Sequence, residues 1–201
     1  MRLAHDGSLQ IYYSRENSKI DQDIVQHISK DNGLTWGPMV TVAGATTQGR
    51  DGMPGITEFD TGSGKRLLCI FETTQDATPQ TTYFNVKSVT SSDDGITWVN
   101  RSQVYIPTGT ANNAGSPQVA TLGTNTMVAI FMTDEDLSPH NWTNGAGVKS
   151  LVSTDGVNWA NKLSVSPPQS NWPGIVPLTD SEFITTFDHA GGVQSQPLQL
   201  S

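Results

Sequence analysis

The stretch Ser91-Ser92-Asp93-Asp94-Gly95-Ile96-Thr97-Trp98 decides the fold, because it recurs. Ser29-Lys30-Asp31-Asn32-Gly33-Leu34-Thr35-Trp36 precedes it, and Ser153-Thr154-Asp155-Gly156-Val157-Asn158-Trp159 follows, one residue shorter. The three serines stand 62 residues apart, twice. A fixed period of tens of residues marks one supersecondary unit used repeatedly. Other landmarks keep step with it. Val42, Val104 and Val165 each stand six residues beyond the box tryptophan, and Met53-Pro54-Gly55-Ile56, Ser116-Pro117-Gln118-Val119 and Trp172-Pro173-Gly174-Ile175 fall between boxes. Apolar runs ending in an aromatic and then a polar group lie at Leu9 to Tyr13, Leu67 to Glu72, Met127 to Met132 and Phe183 to Asp188.

Each unit reads as strands. Leu67 to Phe71 is short and continuously apolar, which suits a strand buried on both faces. In the box, the aspartate can bond nearby backbone amides while the glycine takes a positive φ, so the box is a turn. No segment has sustained helical periodicity with caps. Four strands in a repeated unit of about 60 residues predict an all-β fold of four-stranded propeller blades. Strands are expected from Leu9, Ile24 and Trp36 in the first unit, four in each of the next two, and from Trp172 and Phe183 in the last. The units run approximately 1–48, 49–109, 110–168 and 169–201, three to four blades in all. An open arc leaves apolar faces and sheet edges uncovered, so the 201 residues are expected to be part of a larger propeller.

Composition narrows the function. The net charge is −8, with no basic stripe, and a nucleic-acid partner needs one. No apolar stretch approaches the roughly 20 residues of a membrane helix, so no membrane partner is expected. The N-terminus has no apolar centre of a signal peptide. Cys69 is the only cysteine and lies in an apolar run, where a buried inert thiol is expected. His5, His27 and His140 have no metal-like spacing, so neither metal nor cofactor is expected.

The box resembles the Asp box (BNR repeat) of the sialidase-like superfamily. Arg50-Asp51-Gly52-Met53-Pro54-Gly55, Ile70-Phe71-Glu72, Ala114-Gly115-Ser116-Pro117-Gln118-Val119, Phe131-Met132-Thr133-Asp134-Glu135-Asp136 and Trp172-Pro173-Gly174 together resemble glycoside hydrolase family 93. That resemblance implies a six-bladed parent, a secreted monomer, and exo-acting, retaining cleavage of arabinan by two glutamates. The substrate would be a plant-type polysaccharide or oligosaccharide, and the acidic surface suits neutral arabinan better than a polyanion.

Propeller topology places the boxes at the turn between third and outermost strands, on the face opposite the functional one. Asp31, Asp93 and Asp155 are therefore read as turn formers, and Trp36, Trp98 and Trp159 as packing between strands. The functional face should collect innermost-strand starts (Arg50-Asp51, Asn112-Asn113, Asn171-Trp172) and second-strand ends (Tyr13-Ser14, Glu72-Thr73, Asp134-Glu135, Asp188-His189). A carboxylate at a buried strand end is costly unless paired or used, and glycoside hydrolysis needs two. Glu72 and Glu135 are the catalytic candidates, Glu72 leaning towards nucleophile. The structural alternatives are an ion pair of Glu72 with Arg50 and a solvated loop around Glu135.

For substrate binding the candidates are Arg50 and Asp51 for sugar hydroxyls, Asp134 beside Glu135, Trp172 and Tyr13 as rings to stack on a sugar face, and His189 paired with Asp188 at the rim. A sialidase needs an arginine cluster, yet Arg66 and Arg101 are placed away from this face. A non-catalytic propeller binding glycan or protein is the alternative from another class. Asn100-Arg101-Ser102 and Asn141-Trp142-Thr143 fit the N-glycosylation pattern.

Overall fold

A computed structural model describes residues 1–75, 83–109 and 111–200. Among these residues fifteen strands form four antiparallel sheets. The first holds β1 (Arg2–Leu3), β2 (Leu9–Ser18), β3 (Asp21–Ser29) and β4 (Val40–Ala43). The second holds β5 (Gly52–Asp60), β6 (Lys65–Thr73), β7 (Asn85–Ser91) and β8 (Val99–Tyr105). The third holds β9 (Ala114–Leu122), β10 (Thr126–Thr133), β11 (Gly147–Ser153) and β12 (Ala160–Ser166), with the short helix α1 (Trp142–Gly145) between β10 and β11. The fourth holds β13 (Ser170–Pro177), β14 (Glu182–His189) and β15 (Gly192–Gln199). Each sheet is a meander in chain order, the arrangement of a propeller blade.

The end units each contain one strand more than the sequence reading assigned. The first gains β1, only two residues long, and the last gains β15, a Gln- and Ser-rich strand containing Pro197. Neither carries the alternating apolar pattern by which a strand is recognised.

Register makes the repeat visible in space. Leu9 pairs with Ser29, Leu67 with Ser91 and Met127 with Ser153, so every box serine stands opposite the first apolar residue of the second strand. In the fourth sheet Phe183 pairs with Leu198, so a leucine stands at the serine's place. The boxes lie at one end of the sheets. Glu72 pairs with Val86, near the start of β7, and therefore lies at the other end.

The box aspartates are spent on turns. Asp93 accepts from the Ser91 hydroxyl (2.7 Å), the Thr97 amide (2.8 Å) and the Thr97 hydroxyl (2.5 Å), while Ser91 Oγ accepts from the Gly95 amide (2.9 Å). Gly33, Gly95 and Gly156 take φ of 88°, 92° and 74°. The hydrogen bonds of Thr35 hold Asp31 at about 2.

The core lies in the seams between sheets. Cys69, Phe71 and Val89 meet Ile24 and Val42 at the first seam, and Cys69 is fully buried as expected of an inert thiol. Phe59, Leu68, Ile70, Met127 and Phe131 fill the second, and Ile130, Val148, Val165 and Phe187 pack together at the third. Trp98 and Trp159 pack at the first and second seams, whereas Trp36 stays 38% exposed. Among the described residues no helix is long and apolar enough to cross a membrane.

Candidate functional site

The innermost strands β5, β9 and β13 share a local distortion. Met53, Ser116 and Trp172 adopt φ of 53°, 47° and 54°, each immediately before a proline. Pairing runs from Gly52↔Glu72 to Gly55↔Ile70, from Gly115↔Met132 to Gln118↔Ile130, and from Asn171↔Asp188 to Gly174↔Thr186. One extra residue sits on the inner strand each time, which is a β-bulge. A left-handed conformation at a non-glycine residue costs about 1–3 kcal/mol and persists where the surroundings enforce it. Here the bulge turns an amide towards the preceding sheet: Met53 N donates to Ser14 Oγ (3.0 Å) and Ser116 N to Glu72 Oε2 (2.8 Å). Ser14, Glu72, Met132 and Asp188 occupy the same place in successive sheets.

Glu72 thus closes a seam at the end opposite the boxes. It lies between two glycines. A Cβ on Gly115 would stand 2.4 Å from Glu72 Oε2, and one on Gly52 would stand 3.4 Å from Oε1 and 3.1 Å from the Gln22 amide oxygen. A side chain at Gly115 would displace the carboxyl from this position, and one at Gly52 would come up against it. Burial pushes Glu72 above the ordinary glutamate range, while the Ser116 amide and the Arg50 charge pull the other way and are outweighed. Arg50 is not its hydrogen-bond partner. Its guanidinium donates to the Lys19 carbonyl (2.7 Å) and lies 3.8 Å from Glu16.

Glu135 is the opposite case. Oε1 receives Lys149 Nζ (2.5 Å) and Lys162 Nζ (2.9 Å), and Oε2 receives the Tyr105 hydroxyl and the Thr108 amide (3.2 Å). Its side chain is 2% exposed. Burial alone would raise it, but Lys149, Tyr105, Lys162 and Thr108 outweigh burial and bring it down to about 2. Burial and the neighbouring Glu135 charge push Tyr105 up. Glu135 is therefore neither a solvated loop residue nor an unengaged carboxylate.

The other candidates disperse. Asp51 is fully buried and receives Arg101 Nη1 (2.6 Å) and Nη2 (2.9 Å), so its oxygens are taken by an ion pair rather than open to sugar hydroxyls. Arg101, placed by the sequence away from this face, reaches it by crossing the Phe71 ring at 4.8 Å. Asp134 is 1% exposed and accepts from the Asn113 amide (2.7 Å), while its Oδ2 has no partner among the described residues. Tyr13 stacks on His27 rather than facing Glu72. His27 Nδ1 donates to the Gly37 carbonyl (2.7 Å), which leaves Nε2 to accept from the Tyr13 hydroxyl (3.0 Å). His189 Nδ1 donates to Ser170 Oγ (2.9 Å), whose own proton goes to the Pro167 carbonyl, so Ser170 and not Asp188 is its partner. Trp172 stands 59% exposed on its bulge.

Two groupings escape sequence reasoning. One is Trp142 on α1. The Cβ that Gly115 lacks would lie 3.1 Å from Trp142 Cζ2 as well as 2.4 Å from Glu72 Oε2, so the indole and the carboxyl border the same space beside that glycine. In the sequence Trp142 carries only the glycosylation pattern. The other is His5, Glu58 and Asp94 at the box end, whose ligand-type atoms lie within 4.8 Å of one another. Arg2 already bridges Asp94 (2.6 Å) and Glu58 (3.1 Å), and Lys65 adds 2.8 Å to Glu58. With that charge balanced, the cluster reads as a tie between sheets.

Four meander sheets, three of them with a bulged innermost strand, are the blades of a β-propeller. No family model matches the chain, and no curated protein matches it. Among solved structures it is similar to the Hadza microbial sialidase Hz136 (17% identity, TM-score 0.72, covering 97% of this chain and 42% of that one). It is likewise similar to the GH93 α-L-arabinofuranosidase of Fusarium graminearum in complex with arabinobiose (18%, TM-score 0.66, 94% and 55%). A third is the Penicillium chrysogenum α-L-arabinanase, also with arabinobiose (17%, TM-score 0.63, 99% and 62%). The likeness is one of fold, and the chain spans between 42% and 62% of these proteins' lengths.

Proposed function

We propose that this chain carries the acid side of a glycoside hydrolase site, acting from the chain end on arabinan with retention of configuration. The observation supporting it is Glu72, a carboxyl kept above its ordinary range at a buried strand end between two glycines. A carboxyl raised above the ordinary glutamate range by burial suits a proton donor to the departing glycosidic oxygen. That role replaces the nucleophile role towards which the sequence leaned. Retention asks for a second, ionised carboxylate about 5–5.5 Å away. Glu135 has the required charge state, and its use requires that substrate binding draw it from Lys149 and Lys162. Neutral arabinan suits the net charge of −8. The exposed Asn100 and Asn141 patterns agree with secretion.

The engaged state of Glu135 favours a second reading, glycan binding without turnover, because one carboxyl suffices for recognition. The test is incubation with linear α-1,5-arabinan and with a sialoside, for the wild-type chain, Glu72→Gln and Glu135→Gln. Short arabinose products that vanish in Glu72→Gln support the assignment, and products that survive in it overturn it. Arabinan binding without release selects the second reading, and release from the sialoside alone replaces arabinan by sialic acid.

A further inference from the structure

We propose that Trp142 is the positioning residue of Glu72: its indole, carried on α1 and lying beside Gly115, walls the carboxyl off from water. The inference rests on Glu72 being the reacting carboxyl.

Several described groups lie around Glu72. Beneath it, β5 contributes Gly52 and β3 the Gln22 side chain. Beside it, β9 contributes Gly115 and the Ser116 amide, which donates to Oε2 at 2.8 Å. The charged neighbour acting on it is Arg50, whose guanidinium is directed to Lys19 and Glu16. Arg50 and the Ser116 amide both favour the ionised form and burial outweighs them, so a large apolar side chain beside the carboxyl would act in the same direction as that burial. Trp142 is a large, largely apolar side chain that borders the same space beside Gly115 as the Glu72 carboxyl.

The indole is itself held in place. It stacks on Phe84 with ring centroids 6.4 Å apart and planes at 27°. The Phe84 amide is anchored to Asn113 Oδ1 (2.9 Å), and Asn113 in turn donates its amide to Asp134 (2.7 Å). A chain of contacts therefore runs from Asp134 through Asn113 and Phe84 to the ring beside Gly115. This gives Asp134 and Asn113, buried at the strand end, a role in holding the wall rather than in touching substrate.

The experiment titrates the Glu72 carboxyl directly in the full chain, by carbon-13 glutamate resonances assigned with Glu72→Gln. Wild type, Trp142→Ala, Trp142→Phe and Phe84→Leu are compared, with near-ultraviolet circular dichroism as the check on folding. In Trp142→Ala the midpoint falls towards the ordinary glutamate value, by about one unit. Trp142→Phe keeps most of the elevation, and Phe84→Leu loses part of it. An unchanged midpoint in folded Trp142→Ala overturns the inference, as does an ordinary midpoint in the wild type. Should Trp142→Ala not fold, equal midpoints in wild type and Phe84→Leu overturn it. The readout needs no turnover. A midpoint that follows Trp142 in a chain that leaves arabinan intact keeps the wall and removes the reaction, while Glu72-dependent cleavage with a midpoint indifferent to Trp142 does the reverse.

Discussion

At the seam between the first and second sheets Gln10 faces Gly95, and a Cβ there would lie 3.3 Å from its Oε1; at the next seam Leu68 faces Gly156 at 3.6 Å. The two residues hold the same place in successive blades, one polar and one apolar. Around Gln10 the seam is a hydrogen-bonded web: Arg2 (2.8 Å) and the Tyr12 hydroxyl (2.6 Å) donate to it, and it donates to the Asp94 carbonyl (2.7 Å). Around Leu68 the same space is filled by Phe59, Ile70, Met127 and Phe131. One fold position thus accepts either chemistry, provided the polar version is fully paired. Each seam also carries a buried ion pair: Asp51–Arg101 at the polar one, and Glu135–Lys149, with Lys162 added, beyond Tyr105 at the edge of the apolar one.

Removing one partner of the Asp51–Arg101 pair should have the largest effect. Arg101→Met leaves Asp51 charged, fully buried and unpaired, and should cost about 3–5 kcal/mol in urea unfolding. Asp51→Asn with Arg101→Met should recover part of that loss. A cost near zero for Arg101→Met would mean that the polar seam does not depend on pairing.

Exchanging chemistry between the seams comes next. Leu68→Ala should cost about 2–5 kcal/mol through the cavity it opens. Gln10→Leu fills its space but strands the Tyr12 hydroxyl and one Arg2 donor, for about 1–3 kcal/mol. Equal costs under the same denaturant would erase the distinction between the seams.

The two glutamates should respond to pH with opposite signs. Glu135, at about 2 when folded and near 4.3 when unfolded, stabilises fully above the unfolded value and loses that stabilisation as pH falls towards 2. Glu135→Gln should therefore be less stable than wild type at pH 7, and the gap should close in acid. Glu72 is raised in the folded state, so it costs stability as pH rises above the ordinary glutamate range. Glu72→Gln should accordingly match wild type in acid and exceed it at pH 7 and above. Melting temperatures of the three chains between pH 3 and 8 check both signs.

The seams explain how far the sequence could be read. The boxes announce themselves because the turn is local: Ser91, Asp93, Gly95 and Thr97 bond one another within seven residues. The buried second strands are as plain, since Leu67 to Phe71 and Met127 to Met132 lie in the core without interruption. The pairs that decide the site are not local. Arg101 and Asp51 lie 50 residues apart, and Glu135 meets Tyr105 and Lys162 from 30 and 27 residues away, so composition and spacing carry no trace of them. The left-handed bulges were half visible, as prolines repeating at Pro54, Pro117 and Pro173, but their use depends on an amide finding Ser14 or Glu72 in the neighbouring sheet. Trp142 was masked by a motif that explained its neighbours instead.

The smallest effect probes the tryptophans that cross the seams. Trp98 Nε1 has two acceptors, Gln26 Oε1 and the Gly95 carbonyl, both at 3.2 Å. Trp159 Nε1 is buried and has none among the described residues. Both rings leave a similar void when replaced by phenylalanine, so the polar difference isolates the hydrogen bonds. Trp98→Phe forfeits them and should cost about 1 kcal/mol more than Trp159→Phe, which relieves an unpaired donor at the same time. Urea midpoints at constant slope provide the measurement. If Trp159→Phe proves the costlier, packing outweighs pairing even at the seam where pairing is absent. The box tryptophan would then be held by shape alone, which is what a turn reused on both polar and apolar seams requires.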